Sequence, residues 1–347
     1  MTIGKEQMMR AAYIEATQNL VVRETSIPQP GPDQVRVRVD YVGICGSDLH
    51  YYFTGANGAF VVREPLIPGH ELSGRVDDDP LGVWECGRPV TVHPATFGTP
   101  LPEIIDEPHL WPGGAYLGSA STTPHTQGAL AEYILVERDM IRPLPESLPV
   151  RRAVLAEPLA VALHGIAQAG GVAGARVLVT GAGPIGLLAV AAAAAAGASS
   201  ICATDVLPGP LARASALGAD TVINVAADEV PESAYDIVLE CSGVAPSISS
   251  ALRAVRARGT VVQVGMVPNE NRPLNIAPFI SKEVRWVGTF RFKDEIDRAV
   301  ALLDSHPSIE RVITHEVSAE SIEEAFQIAR DSEQSGKVIV SMWPEGG

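Results

Sequence analysis

The chain has 347 residues, of which 46% are hydrophobic and 19% charged, a balance typical of a folded globular protein with room for two hydrophobic cores. Its formal net charge of −15 argues against a nucleic-acid partner, which would favour a basic surface. The alanine run at residues 191–196 is too short to span a membrane, so we expect no membrane association.

Cysteine usage and the first ten residues bear on the cellular compartment. Residues 1–10 are mixed and polar, which predicts no secretion signal. The four cysteines are scattered and form no C-x-x-C pair, as expected in a reducing environment. We therefore predict a cytoplasmic protein. Cys86, Cys202 and Cys241 are interpreted as core residues.

The first 150 residues have a β-rich pattern. Residues 35–39 read V-R-V-R-V, and such strict alternation is typical of a half-buried strand. Two polar loops interrupted by glycine occur at residues 43–50 and 67–71. Residues 94–128 lack periodicity and are rich in Pro, Gly, Ser and Thr, which predicts a long loop.

Four side chains in this half could bind a metal ion. Cys45, His70, Glu71 and Glu157 offer thiolate, imidazole and carboxylate, the usual zinc ligands, and a catalytic zinc takes three protein ligands plus an open position. Their spacing forms no local metal motif. Cys45 could equally be a small buried hydrophobe, His70 a turn histidine and Glu157 a charge at a helix N-terminus.

The clearest motif is R-V-L-V-T-G-A-G-P-I-G at residues 176–186. A buried strand, a glycine turn and a helix in succession suit a dinucleotide, because the glycines permit a sharp turn, close approach of a pyrophosphate and helix–strand packing. Asp205 closes the next apolar run and is placed to bind ribose hydroxyls. The predicted cofactor contacts of the turn are Gly181, Gly183, Pro184, Ile185 and Gly186.

Strands and helices alternate from residue 176 onward. The predicted strands are 176–180, 200–204, 221–224, 236–240, 260–264 and 283–288. This alternation predicts an α/β fold with a doubly wound Rossmann sheet of six parallel strands. The following elements, a helix near 293–305, a strand at 311–317, a helix at 320–331 and a strand at 337–341, are predicted to rejoin the β domain. The predicted catalytic domain is thus 1–155 with 290–347, and the NAD-binding domain is 156–289.

Five segments of the chain carry a family resemblance. G-I-C-G-S-D-L-H, P-G-H-E, A-E-P-L-A-V-A-L-H, V-T-G-A-G-P-I-G and V-Q-V-G-M follow one another in order. Together they resemble the medium-chain zinc-dependent dehydrogenases along essentially the whole chain, and most closely the polyol branch, which includes sorbitol and L-idonate dehydrogenases. The resemblance implies a mainly β, GroES-like catalytic domain and the NAD-dependent oxidation of a secondary alcohol of a polyol or sugar acid.

The resemblance also assigns roles at the zinc. It implies that Cys45 and His70 bind the catalytic metal, with Glu71 favoured as third ligand and Glu157 as the alternative. Asp48 would orient His70, since a ligand histidine normally donates its other N–H to an acceptor. Residues 94–128 contain no cysteine, so the structural zinc of many relatives is expected to be absent, leaving one zinc per chain.

Further residues match family positions near the substrate. Ser47 would take the proton of the substrate hydroxyl and His50 would pass it to solvent, although His50 could instead be a solvated loop histidine. Gly265, Phe290 and Arg291 would lie near the nicotinamide and substrate, although Arg291 could make an ordinary surface salt bridge.

The remaining expectations concern substrate and assembly. Residues 46–52, 118–120, 124–125 and 288–292 resemble the L-idonate enzyme most, so L-idonate 5-dehydrogenase activity is the first hypothesis. A sorbitol/xylitol-type or threonine dehydrogenase is the alternative enzyme, and a nucleotide-binding structural or regulatory protein is the alternative outside enzymes. The family resemblance implies a homo-oligomer, either a tetramer or a dimer.

Overall fold

A computed structural model describes residues 7–343 of the chain. Its β-strands are β1 Met8–Ala16, β2 Asn19–Ser26, β3 Gln34–Gly43, β4 Ala56–Asn57, β5 Phe60–Val61, β6 Glu71–Asp78, β7 Pro89–Val92, β8 Ala95–Thr96, β9 Ala115–Tyr116, β10 Tyr133–Glu137, β11 Ile141–Pro143, β12 Arg176–Thr180, β13 Ser200–Asp205, β14 Thr221–Asn224, β15 Tyr235–Glu240, β16 Val255–Gln263, β17 Arg285–Gly288, β18 Ile313–Ser318 and β19 Lys337–Ser341. Its α-helices are α1 Gly46–Thr54, α2 Val150–Ala153, α3 Ala156–Gln168, α4 Pro184–Ala195, α5 Pro208–Ala216, α6 Ala245–Ala254, α7 Ala277–Ser281, α8 Ile296–Ser305 and α9 Ile322–Arg330. Within residues 7–343, no helix has the length and apolar character needed to cross a membrane.

The chain divides into two compact units. The first runs as far as Glu157 and takes up His315–Arg330 and the chain from Val338, whereas the second comprises Pro158–Thr314 and Asp331–Lys337. The predicted boundary at residue 290 differs from this division, because residues up to 314 belong to the second unit. The physical reason is local packing: the 3-10 helix Pro307–Val312 contacts α4, α5 and α8.

The first unit is built on a seven-stranded sheet in the order β11-β7-β6-β3-β19-β18, with β10 also paired to β3. The pairs of β3 with β6, β10 and β19 are antiparallel. Val35, Val37 and Val39 of β3 are fully buried, and the side chains between them are half-buried, which confirms the alternating strand predicted at residues 35–39.

The second unit contains a six-stranded parallel sheet in the order β14-β13-β12-β15-β16-β17. The predicted Rossmann sheet is therefore confirmed. Five of the six strands lie close to their predicted bounds. The remaining strand, β16, begins earlier than predicted, at Val255. Because all the strands run in parallel, their carboxyl ends share one edge of the sheet, where a doubly wound fold binds its ligands.

Two other expectations have clear outcomes. Residues 94–128 form mostly irregular backbone with the short antiparallel pair β8–β9, in line with the predicted loop. All four cysteines are free thiols, and Cys202 is buried. Cys241 is half-buried, whereas Cys86 is exposed, so the prediction of a core position is wrong for Cys86. That residue lies in the turn between β6 and β7, among exposed neighbours.

Candidate functional site

The first candidate site starts where β3 ends. Cys45 is the N-cap of α1, with extended backbone at φ −91° and ψ 157°. Asp48 accepts a hydrogen bond from the Cys45 amide at 2.9 Å, which closes a capping box. The other Asp48 oxygen accepts from the Gly69 amide at 3.1 Å. Asp48 is fully buried. Its two hydrogen bonds connect the loop of Cys45 to the loop that leads into β6.

Sheet register brings two more donors to this place. Glu71, the first residue of β6, pairs with Gly43 at the end of β3. One ligand atom each from Cys45, His70 and Glu71 lies within 4.8 Å of the other two. His70 and Glu71 are buried. A Cβ atom on Gly43 would overlap the Glu71 carboxylate, so the glycine leaves the space that this side chain occupies.

Glu157, the alternative ligand, lies beside this cluster. It is in the first turn of α3 and is buried. Its Oε1 accepts a hydrogen bond from the Tyr116 hydroxyl at 2.5 Å, and the Tyr116 ring stands edge-on to His70 with centroids 5.4 Å apart. Glu157 is not one of the three residues whose ligand atoms lie within 4.8 Å of one another. No sequence pattern predicted Tyr116, which lies in the irregular segment.

The electrostatics of the cluster suit a cation. Burial lowers the pKa of His70, but the neighbouring Cys45, Asp48 and Glu157 more than offset this and raise the pKa to about 10. Burial raises the pKa of Asp48, against the opposing charge of His70. A sulfur, an imidazole nitrogen and a carboxylate oxygen at this separation form a donor set that fits a zinc ion with three protein ligands.

Both residues predicted for proton transfer lie on α1, the helix that Cys45 caps. Ser47 is half-buried and His50 is exposed. Residues three apart on a helix are neighbours on its surface, so the pair leads outward from the cluster toward solvent. This placement is compatible with the predicted relay and does not itself test it.

Residues that resemble the L-idonate enzyme have two different surroundings. The Tyr51 hydroxyl lies 3.3 Å from Ser119 Oγ, so these two segments do meet. His125 uses both ring nitrogens locally: Nε2 accepts from the Arg63 amide at 2.9 Å, and Nδ1 lies 2.9 Å from the Thr122 carbonyl. His125 therefore holds its own loop in place.

The second candidate site is the glycine turn after β12, in the second unit. Gly181 has a φ of +85°, a left-handed conformation that favours glycine. A Cβ on Gly186 would overlap the Gly181 carbonyl, whereas a Cβ on Gly183 would have none of the surrounding described atoms within 4 Å. The turn is thus closed on its inner side and open on its outer side, which fits the close approach of a pyrophosphate.

The neighbouring residues complete this turn. Pro184 is the first residue of α4, where its missing N–H costs nothing, and Ile185 is half-buried. Asp205 ends β13, and its Oδ2 accepts from the Ala182 amide at 2.9 Å. Its Oδ1 accepts from the Val206 amide at 2.7 Å. Asp205 therefore braces the backbone of the turn in addition to standing at the predicted ribose position.

The last three predicted cofactor residues follow β16 and β17 at the same edge of the sheet. A Cβ atom on Gly265 would overlap the backbone amide of Gly243, so only glycine fits at this position. Arg291 has a φ of +53°, and its guanidinium carbon lies 4.9 Å from the centroid of the Phe290 ring, within the range of a cation–π interaction.

The second unit also contains buried ionisable side chains that the sequence analysis did not single out. Glu240 is fully buried at the end of β15. The signal that identified Asp205, an acid closing an apolar strand, also applies to the run I-V-L-E that Glu240 ends. The buried pair of His164 Nδ1 and Glu295 Oε1, 2.8 Å apart, has no local signal in the sequence.

The fold and the two sites define a class of protein: an oxidoreductase with a Rossmann dinucleotide domain and a metal-ligand cluster in a β domain. Comparison with known families agrees. Residues 31–146 match the alcohol dehydrogenase GroES-like domain, and residues 184–305 match the zinc-binding dehydrogenase family. The chain belongs to the zinc-binding dehydrogenases, and it is therefore an enzyme.

Individual relatives cover almost the whole chain. The chain is 34% identical over 311 residues to the L-idonate 5-dehydrogenase (NAD(P)(+)) of Escherichia coli, covering 87% of this chain and 90% of that protein. It is 32% identical to a sorbitol dehydrogenase of Bacillus subtilis, covering 95% and 96% of the two chains. The crystal structure of the E. coli L-idonate 5-dehydrogenase superposes with a TM-score of 0.91 at 31% identity, covering 97% of this chain and 99% of that one.

Proposed function

We propose that this dehydrogenase oxidises a secondary alcohol of a sugar acid or polyol with NAD, using one zinc held by Cys45, His70 and Glu71. The observation that carries the proposal is the convergence of these three ligand atoms within 4.8 Å. L-idonate is the first substrate candidate because of the 34% identity to the E. coli enzyme. Sorbitol-type polyols are the second, because of the B. subtilis relative.

Residues of the first unit bind the metal, position its ligands and transfer the proton. When bound, zinc supplies a Lewis acid that polarises an alcohol oxygen. Asp48 keeps the ligand loops at their separation through the amides of Cys45 and Gly69. Ser47 Oγ would accept the proton of the alcohol while its own hydroxyl proton passes on toward the exposed His50, which releases a proton to solvent. Glu157, held by Tyr116, is the alternative third ligand.

Residues of the second unit hold the cofactor. When bound, NAD supplies the hydride acceptor. The open face of the glycine turn and the free N–H groups at the start of α4 receive the pyrophosphate. Gly265, Phe290 and Arg291 line the nicotinamide end, and Asp205 accepts hydrogen bonds from the ribose hydroxyls.

Asp205 predicts a preference for NAD over NADP. A 2′-phosphate about 4 Å from this carboxylate would be repelled by roughly 4 kcal/mol at an effective dielectric near 20, before screening by salt. Asp205→Ser is expected to lower the ratio of kcat/KM for NAD to kcat/KM for NADP by about tenfold or more. Steady-state kinetics with both cofactors measure this ratio.

Asp205→Asn is the matched variant, since it removes the charge with little change in shape. If both variants lower this ratio to a similar extent, the preference for NAD is due to the charge of Asp205 and not to its hydrogen bond with the Ala182 amide. Comparable kcat/KM for NAD and NADP in the unmutated enzyme would refute the prediction.

Arg291 provides the test of the substrate. An aldonate carries a carboxylate, and a chain with a net charge of −15 needs a local cation to bind it. The planar guanidinium of an arginine can hold a carboxylate by two hydrogen bonds, and the Phe290 ring 4.9 Å away restricts its orientation. Arg291→Leu is therefore expected to raise the KM for L-idonate by about tenfold or more, and to change the KM for a polyol far less.

The measurement is NADH formation with L-idonate, sorbitol, xylitol and threonine. Arg298→Leu, which removes an exposed arginine of the same unit, is the control for loss of general charge. Turnover of sorbitol or xylitol with no activity on L-idonate would overturn the assignment in favour of the second candidate.

Three further proposals follow from the sequence. We propose one zinc per chain, supported by the lack of cysteine in residues 94–128. The four free thiols support the proposed cytoplasmic location. The proposed homotetramer, with a dimer as the alternative, derives from the family resemblance alone.

A further inference from the structure

One carboxylate in the second unit gathers an unusual number of donors. Glu240 is the last residue of β15 and is fully buried. Its Oε2 accepts from the Gly243 amide at 2.9 Å, and its Oε1 accepts from Ser247 Oγ at 3.0 Å. The further donors to the carboxylate are Thr180 Oγ1, the Ser242 amide, Ser242 Oγ and Gln263 Nε2.

These donors come from three neighbouring strands of the sheet. Thr180 ends β12 immediately before the glycine turn. Ser242, Gly243 and Ser247 belong to the turn after β15 and the start of α6. Gln263 ends β16, and its side-chain amide also donates to the Gly265 carbonyl at 2.9 Å. The carboxylate thus links all three connections at the edge where the dinucleotide is proposed to bind.

The same connections are in direct backbone contact. A Cβ on Gly181 would lie 2.9 Å from the Ser242 Cβ. A Cβ on Gly243 would overlap the Met266 carbonyl, and one on Gly265 would overlap the Gly243 amide. Because these turns are already in van der Waals contact, a displacement of the turn after β15 would also displace the glycine turn on one side and the Gly265 segment on the other.

We propose that Glu240 is a positioning residue for the dinucleotide: its carboxylate sets the mutual positions of the glycine turn, which takes the pyrophosphate, and the Gly265 segment, at the nicotinamide end. This inference rests on the proposed NAD-linked function. An ionised carboxylate is suited to the task, since it has only acceptor sites and can bind several N–H and O–H groups together.

Glu240→Gln tests the inference with little change in shape. Its amide NH₂ would face donors that now face an acceptor oxygen. The dissociation constant of NADH, measured by fluorescence titration, is expected to rise by about tenfold or more. The KM for NAD is expected to rise with it, whereas the zinc content and the KM for the alcohol stay near those of the parent enzyme. A general loss of stability would not produce this split.

A second variant decides the matter if Glu240→Gln does not fold, as judged by circular dichroism. Gln263→Met removes only the link from Glu240 to Gly265 and is expected to weaken NADH binding by a smaller factor. Ser249→Ala is the matched control, because its hydroxyl contacts Ala245 O and the Asn275 amide, away from Glu240, and it should bind NADH like the parent.

The outcomes separate the inference from the proposed function. A folded Glu240→Gln enzyme that binds NADH as tightly as a parent with measurable affinity overturns the inference alone. If only Gln263→Met folds, unchanged NADH affinity in that variant overturns it. A folded parent that binds neither NADH nor NADPH overturns the proposed function and the inference together.

Discussion

Cys45→Ala is expected to abolish alcohol oxidation while leaving NADH binding measurable. The substitution removes the thiolate from the cluster of Cys45, His70 and Glu71, and two remaining ligands are fewer than the three that a catalytic zinc normally takes from the protein. The proposed cofactor residues belong to the second unit, which is compact in itself. Zinc content should therefore fall together with turnover, whereas the fluorescence titration with NADH should change little.

The matched control is Cys86→Ala. Cys86 is an exposed free thiol, so its removal should affect neither zinc content nor turnover. A Cys45→Ala enzyme that retains full activity, or that keeps one zinc per chain, would contradict the assignment of the metal ligand.

The second large effect concerns stability and the buried pair of His164 and Glu295. The side chains are 3% and 8% exposed, with Nδ1 and Oε1 2.8 Å apart. Removing one member of a buried pair typically costs about 3 to 5 kcal/mol, because the other is left without its partner. His164→Ala is therefore expected to lower the Tm of the second unit by roughly 10 °C. Differential scanning calorimetry measures this, with the exposed His306→Ala as control.

The pH dependence of this pair has a defined sign. Burial by itself raises the pKa of Glu295, but the hydrogen bonds from His164 and the Lys293 amide outweigh it and lower the pKa to about 2, from an ordinary value of 4.5. A carboxylate with a depressed folded-state pKa stabilises the protein above its unfolded-state pKa, and this contribution is lost as the pH falls toward the folded value.

The stability difference between the parent and Glu295→Gln should consequently be largest above pH 4.5 and should shrink between pH 4.5 and about 2. Comparing the two proteins cancels the titration of the other carboxylates. A difference that stays constant over this range would show that the charge of Glu295 does not stabilise the fold.

Local patterns were sufficient to predict the parallel sheet of the second unit. The strands β12 and β14 have the bounds expected from the apolar runs. Parallel strands joined by helices follow a right-handed crossover rule, which leaves few possible arrangements. The all-apolar helix α4, buried over most of its length, is predicted by the unbroken alanine run.

The metal-ligand cluster was only partly predictable from local sequence. The donor types of Cys45, His70 and Glu71 were evident, but they come from two separate loops. Their meeting depends on the antiparallel register of β3 with β6, in which Gly43 pairs with Glu71. That register is not written in either segment alone, and the family resemblance supplied what the spacing lacked.

Contacts between distant residues could not be predicted. Tyr116 and Glu157 are 41 residues apart, and His164 and Glu295 are 131 apart. Such pairs form only when separate elements pack together, so no periodicity records them. The difference between the predicted boundary at residue 290 and the end of this part of the second unit at Thr314 has the same origin, because residues 307–312 contact α4 and α5, which are distant in sequence.

The most direct test of the central claim is the rate of NADH formation by the purified enzyme on L-idonate and sorbitol, before and after removal and return of zinc. We predict activity on at least one of these substrates that falls to background when a chelator strips the metal. Stoichiometric zinc should then restore the rate. Undiminished oxidation by protein shown to contain no metal would contradict the assignment of a zinc-dependent dehydrogenase.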